Sequence, residues 1–457
     1  MTLANNTELD ALSRLASSAA HINLAGQRYG TAELIARGRK LLSNKPHILL
    51  GLCRIENADM LALLLASFCS RQACLLAADP SLLAKRCAVI YGAADQGISV
   101  TQGEHSAECR GDFAVLSSGT LGDPKLIWHD INATLSTADL VRKRLELNAQ
   151  SRVLISVPLH HMYGLGAALL PALLAGSDIY FLPKSNLLTL YQALTQIKPD
   201  FIYSTPHQMR PVLKRLRPST SRQQHLVLAG DAVTPELAIQ AQQCLGQCFN
   251  LYGSSELGVV AISAANEVHR LQALEGVSVR SEAVHDCGDT KEQGETLWVQ
   301  HPYAAKGWCR DQHFQKLARW WNSRDVAAIH PDGTFSLRGR ADLSVNRAGK
   351  LLVLAELEQQ LMSWPEIEMA VASVLPQQQA GGLTLAVLIQ TAASHVNGES
   401  IHQLALERLP YFARPDCYHL ATAIPCLASG KPDRKKIMRE YYDEPNRNYP
   451  TVTAAAR

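Results

Sequence analysis

A loop rich in glycine and hydroxyl residues, SSGTLGDPK at 117–125, directly follows the apolar run at 113–116. Small residues let backbone N–H groups approach an anion closely, hydroxyls donate hydrogen bonds to it, and the lysine adds positive charge. This composition after an apolar segment predicts a phosphate-binding loop. Taken alone, the loop is also compatible with a surface turn that carries an incidental lysine.

The P-loop of nucleoside triphosphatases does not fit this segment. That loop requires the pattern G-x-x-x-x-G-K-[S/T] at the start of a helix. Here Gly119 and Gly122 are only three residues apart. Pro124 precedes Lys125, and Leu126 stands where a magnesium-binding hydroxyl is required. Because proline also disfavours the helical conformation for the residue before it, we interpret the segment as a phosphate loop of another kind.

Four further motifs follow this loop: LYGSSELG at 251–258, WWNSRD at 320–325, GRADLSVNRAGK at 339–350 and ASGKPDRKKI at 428–437. In this order, the five motifs resemble the AMP-forming adenylating superfamily of acyl- and aryl-CoA synthetases, peptide-synthetase adenylation domains and luciferase. The resemblance runs from about residue 111 to 437 and is closest in style to compact stand-alone acyl- or aryl-acid ligases. It implies activation of a carboxylic acid by ATP to acyl-AMP, with pyrophosphate release. Transfer to a phosphopantetheine thiol of CoA or of an acyl carrier protein would follow.

The resemblance also implies which residues bind the nucleotide and Mg²⁺. Glu256 matches the magnesium-binding glutamate, for which a helix N-terminal residue stabilised by the dipole is the alternative. Ser255 matches a contact to the α-phosphate. Lys125 is expected to supply supporting charge at the β,γ-phosphates. The remaining residues expected at the phosphates or elsewhere in the nucleotide site are Ser117, Ser118, Gly119, Thr120, Gly122, Gly230, Asp231, Tyr252 and Gly253.

Two motif residues in the C-terminal half match contacts to the ribose. Asp325 matches the aspartate that binds both ribose hydroxyls, a task suited to a two-oxygen acceptor, and a loop-capping aspartate is its alternative. Arg340 matches an arginine that contacts ribose or phosphate, and its alternative is a buried structural ion pair.

Catalysis and acid binding are assigned by the same resemblance. Lys431 matches the lysine that bridges the α-phosphate and the attacking carboxylate, and Gly349 is expected near the thiol channel. His161 matches a histidine that lines the acid pocket, whereas a satisfied core histidine is an alternative for His160. Peptide-synthetase domains carry an aspartate for the α-ammonium group of their substrate in this neighbourhood. Residues 158–166 contain none, which predicts an acid without an α-amino group.

Three positions depart from the family pattern. Leu121 replaces a threonine or serine, Leu126 replaces a glycine, and Arg324 replaces the glycine before Asp325. Losing one hydroxyl donor would cost about 1–3 kcal/mol if its phosphate partner is left unsatisfied. These departures favour the rival function, a non-catalytic nucleotide- or acyl-binding relative with a regulatory or assembly role.

The chain of 457 residues is long enough for a large domain and a small one. Periodicity over 59–339 alternates between helix and strand and predicts stacked β-α-β units. Predicted strands at 179–182 and 201–203 flank a helix at 187–197, and those at 225–228 and 249–252 flank a helix that begins at Thr234-Pro235. The YGSSE motif is therefore expected just past the carboxyl end of a strand, where open α/β sheets bind ligands.

The pattern after Arg340 predicts a small α+β unit. Helices are predicted at 356–361 and 401–409, strands at 369–375, 383–389 and 418–424, and residues 444–457 are expected to be loose. With the hinge that the resemblance implies, the predicted fold is α/β. It has an N-terminal domain of stacked α/β layers at 1–339, a hinge at 340–342 and a mobile α+β domain at 343–457.

Composition excludes several classes of partner. A net charge of +3 without a long block of like charges argues against nucleic acid as a partner. The cluster Arg434-Lys435-Lys436 is predicted to be a solvated helix face.

The eleven cysteines lack zinc-ligand spacing, and the Cys244–Cys248 pair falls on a predicted helix end. Free and mostly buried thiols are therefore expected. The N-terminus lacks a secretory pattern, and the apolar stretch at 164–176 is too short to span a bilayer. A cytoplasmic protein is therefore predicted.

Overall fold

The computed structural model describes most of the chain as two compact units. The described residues are 11–43, 49–83, 86, 89–94, 97–102, 110–117, 125–219, 223–283, 295–310, 313–347, 350–376, 383–391, 397–427, 431–443 and 451–453. The first unit consists of Met1–Ser278 with Gln300–Trp321, and the second of Val279–Val299 with Asn322–Arg457. The predicted hinge at 340–342 therefore lies within the second unit, and its role as a hinge stays a prediction.

The first sheet of the first unit has a parallel centre with an antiparallel hairpin at each side. Its strands, in spatial order, are Leu271–Ala273, Gly258–Ser263, Gly246–Ser254, Gln224–Leu228, Phe201–Ser204, Arg152–Ile155, Asp178–Phe181, His21–Leu24 and Gln27–Gly30. The six strands from Gly246–Ser254 to His21–Leu24 are parallel to one another. Helices connect them, namely Leu170–Ala175, Leu187–Gln196, Pro206–Leu213 and Pro235–Cys244. Parallel strands covered by helices are buried on both faces, as the fully buried Phe201–Ser204 illustrates.

The second sheet of this unit is mixed. In spatial order it contains His313–Lys316, Gly307–Arg310, Lys125–His129, Phe113–Ser117, Cys74–Ala77, Leu50–Cys53, Val89–Ala94 and Gly97–Gln102. Residues of both sheets belong to one apolar core, together with residues of the helices Thr31–Leu42, Ala58–Ser70 and Ile131–Arg144. The helix Ala58–Ser70 is buried along almost its whole length because it is apolar on every side.

The local signals read from the sequence explain several of these elements. Thr234 caps the helix Pro235–Cys244 by accepting a hydrogen bond from Leu237 N at 3.3 Å, with proline at the first helical position, which confirms the predicted start. Asn186 and Thr189 form a capping box at the start of Leu187–Gln196, one residue shorter than predicted. The predicted strands on either side of both helices are also confirmed, with shifts of one to three residues.

The β-α-β alternation predicted up to residue 339 is wrong beyond Gly258. The described residues from there to Arg340 form strands and turns, beginning with the hairpin Gly246–Ser254 and Gly258–Ser263. Short apolar runs do not distinguish a strand from a helix by periodicity alone, and here tight turns at Gly258, Gly276 and Gly333, all with positive φ, favour antiparallel pairing.

The second unit contains two separate sheets. The first has the spatial order Ser278–Ala283, Glu295–Gln300, Trp321–Ile329 and Phe335–Arg340, and the second has the order Met369–Pro376, Leu383–Gln390, Cys417–Ala421 and Thr451–Thr453. A hairpin of Ser344–Arg347 and Lys350–Val353 and the helices Leu354–Met362, Gly398–Arg408 and Arg434–Ile437 complete it. The predicted α+β elements are confirmed. Residues 451–453, expected to be loose, instead pair with 417–419.

The structure describes eight free cysteines, most of them buried or half-buried. Free thiols are buried at Cys53, Cys74, Cys244, Cys248 and Cys417, half-buried at Cys69 and Cys309, and exposed at Cys426. Cys244 ends a helix as predicted, while Cys248 lies in a strand.

The prediction that Arg434 belongs to a solvated helix face is wrong. Arg434 donates a hydrogen bond to Glu358 at 2.6 Å and another to the carbonyl of Ala372 at 2.8 Å. Among the described residues, no helix has the length and apolar character needed to cross a bilayer.

Gly38→Ala is expected to destabilise the first unit although alanine favours a helix. The helix Thr31–Leu42 packs on Ala58–Ser70, and a Cβ at Gly38 would overlap the carbonyl of Ala62 and lie 2.7 Å from the Cβ of Ala66. Overpacking of this kind costs about 1–3 kcal/mol, more than the roughly 1 kcal/mol gained in helix propensity. Urea unfolding measures the difference, with Ala36→Gly on the exposed face of the same helix as the control for propensity. An unfolding free energy raised by Gly38→Ala would contradict this packing.

Candidate nucleotide and acid site

The predicted phosphate loop joins two antiparallel strands. Phe113–Ser117 and Lys125–His129 form a hairpin in which Ser117 is opposite Lys125. A strand therefore follows the lysine, whereas a P-loop requires a helix there, which confirms that this is a loop of another kind. The side chain of Ser117 and the residues Ser118, Gly119, Thr120, Leu121 and Gly122 lie outside the described part of the structure.

Two residues at the base of this hairpin are described. Lys125 is half-buried, and its Nζ lies 4.3 Å from the centroid of the Trp308 ring. Leu126 is 5% exposed, lies opposite Leu116 and packs in an apolar cluster with Trp128. The departure from glycine at Leu126 is therefore explained by packing in the core.

The YGSSE motif forms the end of a strand and a turn. Tyr252 lies in the strand Gly246–Ser254, as the predicted strand at 249–252 had it, whereas Gly253 and Ser254, expected just past the strand, also belong to it, so the prediction is wrong for these two. Ser255 and Glu256 lie in the turn at 255–257, as predicted. A bulge between Tyr252 and Gly253 interrupts the pairing with the next strand, and a Cβ at Gly253 would overlap the carbonyl of Gly258. Only glycine permits this close return of the chain.

Hydrogen bonds hold this turn from both sides. Leu257 N donates to Ser254 Oγ at 3.2 Å, and Ala305 N donates to the carbonyl of Glu256 at 2.8 Å. Neither bond uses the carboxylate of Glu256, which is half-buried. The residue after Ala305 contacts the strand Lys125–His129, because the N–H of Lys306 donates to the carbonyl of Trp128 at 2.8 Å. The backbone of the turn is thus fixed while the carboxylate remains available to a ligand.

His129 is a residue of this site that the sequence analysis missed. Its ring lies beside the backbone of Ser255 and stacks on Phe113 with ring centroids 5.0 Å apart, and its Nε2 is buried without a hydrogen-bond partner in the described structure. Burial lowers the pKa of His129 to about 4, so the ring is neutral at pH 7. It lines a small cavity together with Thr134, Thr137, Met162, Gly166, Gly258, Val259 and Tyr303. The only signal in the sequence was its position at the end of the strand that follows the phosphate loop.

The two histidines of the PLHHMYG segment lie side by side before a helical segment. Their ring centroids are 4.3 Å apart, and the pKa of His160 is lowered to about 3 by burial and by the neighbouring His161. His160 Nε2 is buried without a hydrogen-bond partner among the described residues, which argues against a satisfied core histidine, and the role of this residue stays a prediction. Tyr163 connects this segment to the sheet, since its hydroxyl lies 2.9 Å from the carbonyl of Ser204 and 2.7 Å from that of Val227.

The parallel strands bring several predicted residues to one edge of the first sheet. His161 follows Arg152–Ile155, and Gly230 with Asp231 follows Gln224–Leu228; His207, which was not predicted, follows Phe201–Ser204. Gly230 has φ +91°, and the exposed Asp231 accepts a hydrogen bond from Ala232 N at 2.8 Å. With the turn at 255–257 after Gly246–Ser254, these residues occupy the carboxyl edge, the usual position for ligands in open α/β sheets.

Asp325 and Arg340 are opposite each other in an antiparallel pair of the second unit. Arg340 Nη1 lies 3.8 Å from Asp325 Oδ1, with 18% of the Asp325 side chain exposed and 35% of that of Arg340. Ser323 positions the segment, because its Oγ accepts from Asp325 N at 3.1 Å and donates to the carbonyl of Leu297 at 2.9 Å. Arg324 has φ +61°, which explains why the family pattern has glycine there.

Lys431 also belongs to the second unit, where its side chain is exposed. Its carbonyl accepts a hydrogen bond from Leu427 N at 2.8 Å, and Cys426 and Pro432 form an isolated β-bridge. Asp433 then caps the helix Arg434–Ile437 by accepting from Lys436 N at 3.0 Å. Gly349 lies outside the described residues, as does the side chain of Asp342.

These features are those of an α/β protein with loops and turns at the carboxyl edge of a parallel sheet, and comparison with known proteins identifies its family. A model of the family described as AMP-binding enzyme matches residues 72–308, which is 237 of the 457 residues. The chain therefore belongs to the AMP-binding enzyme family, and the resemblance seen in the sequence is confirmed.

Individual relatives have low sequence identity to this chain. A probable CoA ligase, CCL8, of Humulus lupulus is 26% identical, with 71% of this chain and 60% of that protein covered. The feruloyl-CoA synthase of an Amycolatopsis species is 24% identical (71% and 69% covered), and the p-hydroxybenzoic acid–AMP ligase FadD22 of Mycobacterium tuberculosis is 27% identical (73% and 49%). The matched part thus spans between 49% and 69% of the length of these three relatives.

Solved structures resemble almost the whole chain. ATP-bound MatB from Rhodopseudomonas palustris has a TM-score of 0.78 at 16% identity, covering 96% of this chain and 99% of MatB. The o-succinylbenzoate CoA synthetase MenE of Bacillus subtilis, in complex with an acyl-adenylate, also has 0.78 at 16% identity, covering 93% and 97%. These similarities confirm the predicted fold class, α/β with a smaller α+β region at the C-terminus.

Proposed function

We propose that this protein activates a carboxylic acid with ATP and transfers the acyl group to a thiol. In the first step a carboxylate oxygen attacks the α-phosphorus, the bond to the bridging oxygen breaks, and pyrophosphate leaves. In the second step the thiol attacks the acyl carbonyl of acyl-AMP, and AMP leaves. The first step brings two anions together, so catalysis must rely on positioning and on positive charge.

The observation that carries the proposal is the connection between the phosphate hairpin and the turn at 255–257. Lys306 N donates to the carbonyl of Trp128 at 2.8 Å, and the adjacent Ala305 N donates to the carbonyl of Glu256 at 2.8 Å, so the segment at 305–306 joins the strand Lys125–His129 to the turn. The strand that follows the predicted phosphate loop is thereby joined to the turn that carries the half-buried carboxylate of Glu256. Such an arrangement is suited to a triphosphate with its metal ion.

The residues present fit Mg²⁺ as the accompanying ion. Within the described ranges, no three His, Cys, Asp or Glu residues cluster as a metal site made of protein ligands alone would require. Mg²⁺ is often held by one or two carboxylates, with waters and substrate phosphates completing its shell. Glu256 would supply that carboxylate, and the bound ion would neutralise charge on the phosphates.

The second unit would supply the remaining contacts. Asp325, held through Ser323, is proposed to accept hydrogen bonds from both ribose hydroxyls, with Arg340 beside it. Lys431 is proposed to neutralise the α-phosphate and the incoming carboxylate. A movement of residues 343–457 about the hinge at 340–342 would place Lys431 for the first step and Gly349 for the second.

The proposed acid lacks an α-amino group, and the proposed acceptor is CoA or a carrier protein. Residues 158–166 contain two histidines and a tyrosine, and they contain no carboxylate that could bind the α-ammonium group of an amino acid. The proposed acid is an aryl or fatty acid, and the relatives named for ferulate and p-hydroxybenzoate support the aryl alternative. The pocket is proposed to lie at the carboxyl edge, beside His161.

Arg324 is the observation that favours the rival function, a non-catalytic binder. Arginine in the left-handed region is costly, and it stands beside the proposed ribose ligand. Leu126 no longer supports this alternative, because its packing in the core accounts for it. The retained Lys431 opposes it, since a binder has no need of an exposed lysine at that position.

ATP–pyrophosphate exchange with a panel of aromatic and fatty acids tests the proposal. We expect exchange that depends on one group of acids and on Mg²⁺, followed by thioester formation when CoA or a phosphopantetheine-loaded carrier protein is added. α-Amino acids are the matched negative panel. ATP binding without exchange for any acid would favour the binder instead.

A further inference from the structure

The buried ring of His301 links two backbone groups, one in its own segment and one in a neighbouring strand. Its Nδ1 accepts a hydrogen bond from Tyr303 N at 3.0 Å, and its Nε2 lies 2.9 Å from the carbonyl oxygen of Val259. Because an amide N–H can only donate, Nδ1 carries no proton, and the proton on Nε2 is donated to Val259. Burial lowers the pKa of His301, which agrees with a neutral ring in one fixed tautomer.

The bond to Val259 lies where the pairing of the sheet is irregular. Val259 is opposite Gly253, and the register of the two strands shifts between Tyr252 and Gly253. A bulge leaves one residue unpaired and disrupts the ladder locally. The strand that leaves the turn at 255–257 is therefore held beside the bulge by a side chain of another segment.

The segment that begins with His301 also holds the turn itself. Ala305 N donates to the carbonyl of Glu256 at 2.8 Å, and Lys306 N bonds the strand Lys125–His129. The segment is thus attached at one end by the ring of His301 and at the other end by backbone bonds. The backbone of Glu256 lies between these attachments.

We propose that His301 is a positioning residue that fixes the backbone around Glu256, so that the carboxylate is presented to the Mg²⁺ of bound ATP. This inference rests on the proposed function. Glu256 is the residue that touches the ion, and His301 acts through it. Mg²⁺ demands near-ideal octahedral geometry at short distances, so a carboxylate that is held loosely loses affinity for it.

Two conservative substitutions separate the two bonds of the ring. His301→Asn keeps an acceptor for the N–H two residues on, as in an Asx-turn, but its side chain is too short to reach Val259. His301→Gln places an amide donor about where histidine has Nε2 and can keep the bond to Val259. We expect His301→Asn to raise the Mg²⁺ concentration for half-maximal ATP binding by about tenfold, the lower end of what loss of an outer partner costs, and His301→Gln to raise it less. Calorimetry of ATP at graded Mg²⁺ concentrations measures both.

Coupling to Glu256 distinguishes a positioning role from a loss of stability. In a Glu256→Gln background, His301→Asn should no longer change the Mg²⁺ dependence, because the group through which it acts is already absent. His225→Asn is the matched control. This half-buried histidine is opposite Gln247, at the far end of the strand that leads to the turn, so its replacement should leave the Mg²⁺ dependence unchanged whatever it does to the thermal midpoint.

His301→Leu, which can form neither bond, carries the same expectation as His301→Asn and serves as the second variant if the asparagine protein does not fold. An unchanged Mg²⁺ dependence in either folded variant, or the same shift in the Glu256→Gln background, would overturn the role of His301. A larger shift for His301→Gln than for His301→Asn would also overturn it, because the effect would then belong to the local turn. Absence of Mg²⁺-dependent ATP binding by the unmodified protein would overturn the proposed function itself, so the two failures are distinguishable.

Discussion

Lys431→Ala is expected to lower the rate of acid-dependent ATP–pyrophosphate exchange by about 100- to 1,000-fold. Removing the ammonium leaves two anionic reactants without the charge that offsets their repulsion. Folding should be unaffected, because the side chain is exposed and the bond from Leu427 N goes to the backbone carbonyl at 431. MgATP binding should be retained, since the phosphate hairpin and the turn at 255–257 belong to the other unit.

Lys436→Ala is the matched control for this variant. Lys436 is an exposed lysine of the same segment, and its ammonium lies 3.9 Å from Glu440, a pair worth little at the surface. Supplying synthetic acyl-AMP should restore thioester formation by Lys431→Ala, because that step no longer needs the carboxylate to reach the α-phosphate. Full exchange activity in Lys431→Ala would contradict the assigned role.

Elements with local signals were predictable from the sequence. The helix Pro235–Cys244 follows from the cap at Thr234 and the proline after it, and both signals lie within three residues of the helix start. Parallel strands such as Phe201–Ser204 follow from short apolar runs between helices. In each case the information that determines the element is contained in the element itself.

Elements that depend on distant partners were not predictable in this way. Residues 451–453 have no apolar periodicity, and they form a strand because 417–419 offer an unpaired edge. Arg434 looked like part of a surface cluster until Glu358, 76 residues away, proved to be its partner. The strands after Gly258 similarly depend on antiparallel pairing across turns.

The residues of the candidate site also fall into those indicated by local sequence motifs and those that depend on distant partners. The motifs that carry the family resemblance predicted Lys125, Glu256, Asp325, Arg340 and Lys431, and the roles of these residues stay predictions. The motifs did not indicate His129, which the structure places on the strand that begins with Lys125 and beside the turn at 255–257. Residues that support a site are chosen by register and packing, and a single sequence does not display either.

Glu256→Gln is expected to raise the Mg²⁺ concentration needed for half-maximal exchange by about 100-fold. Glutamine keeps the size of the side chain but removes the one charged oxygen pair that this turn offers to the ion, and loss of even an outer partner costs about 10- to 100-fold in metal affinity. The turn itself should persist, because Ala305 N bonds the carbonyl of Glu256 and Leu257 N bonds Ser254 Oγ.

Titration of exchange against Mg²⁺ at saturating ATP measures this effect, and calorimetry of ATP with and without Mg²⁺ gives a readout that does not depend on turnover. Glu267→Gln, an exposed carboxylate of the same unit, is the control and should leave both curves unchanged. Glu256→Asp separates charge from reach: a shorter carboxylate that restores part of the Mg²⁺ affinity would show that charge is what the turn provides. An unaltered Mg²⁺ dependence in Glu256→Gln would show that the ion is held elsewhere, and the glutamate would then be a residue of the turn alone.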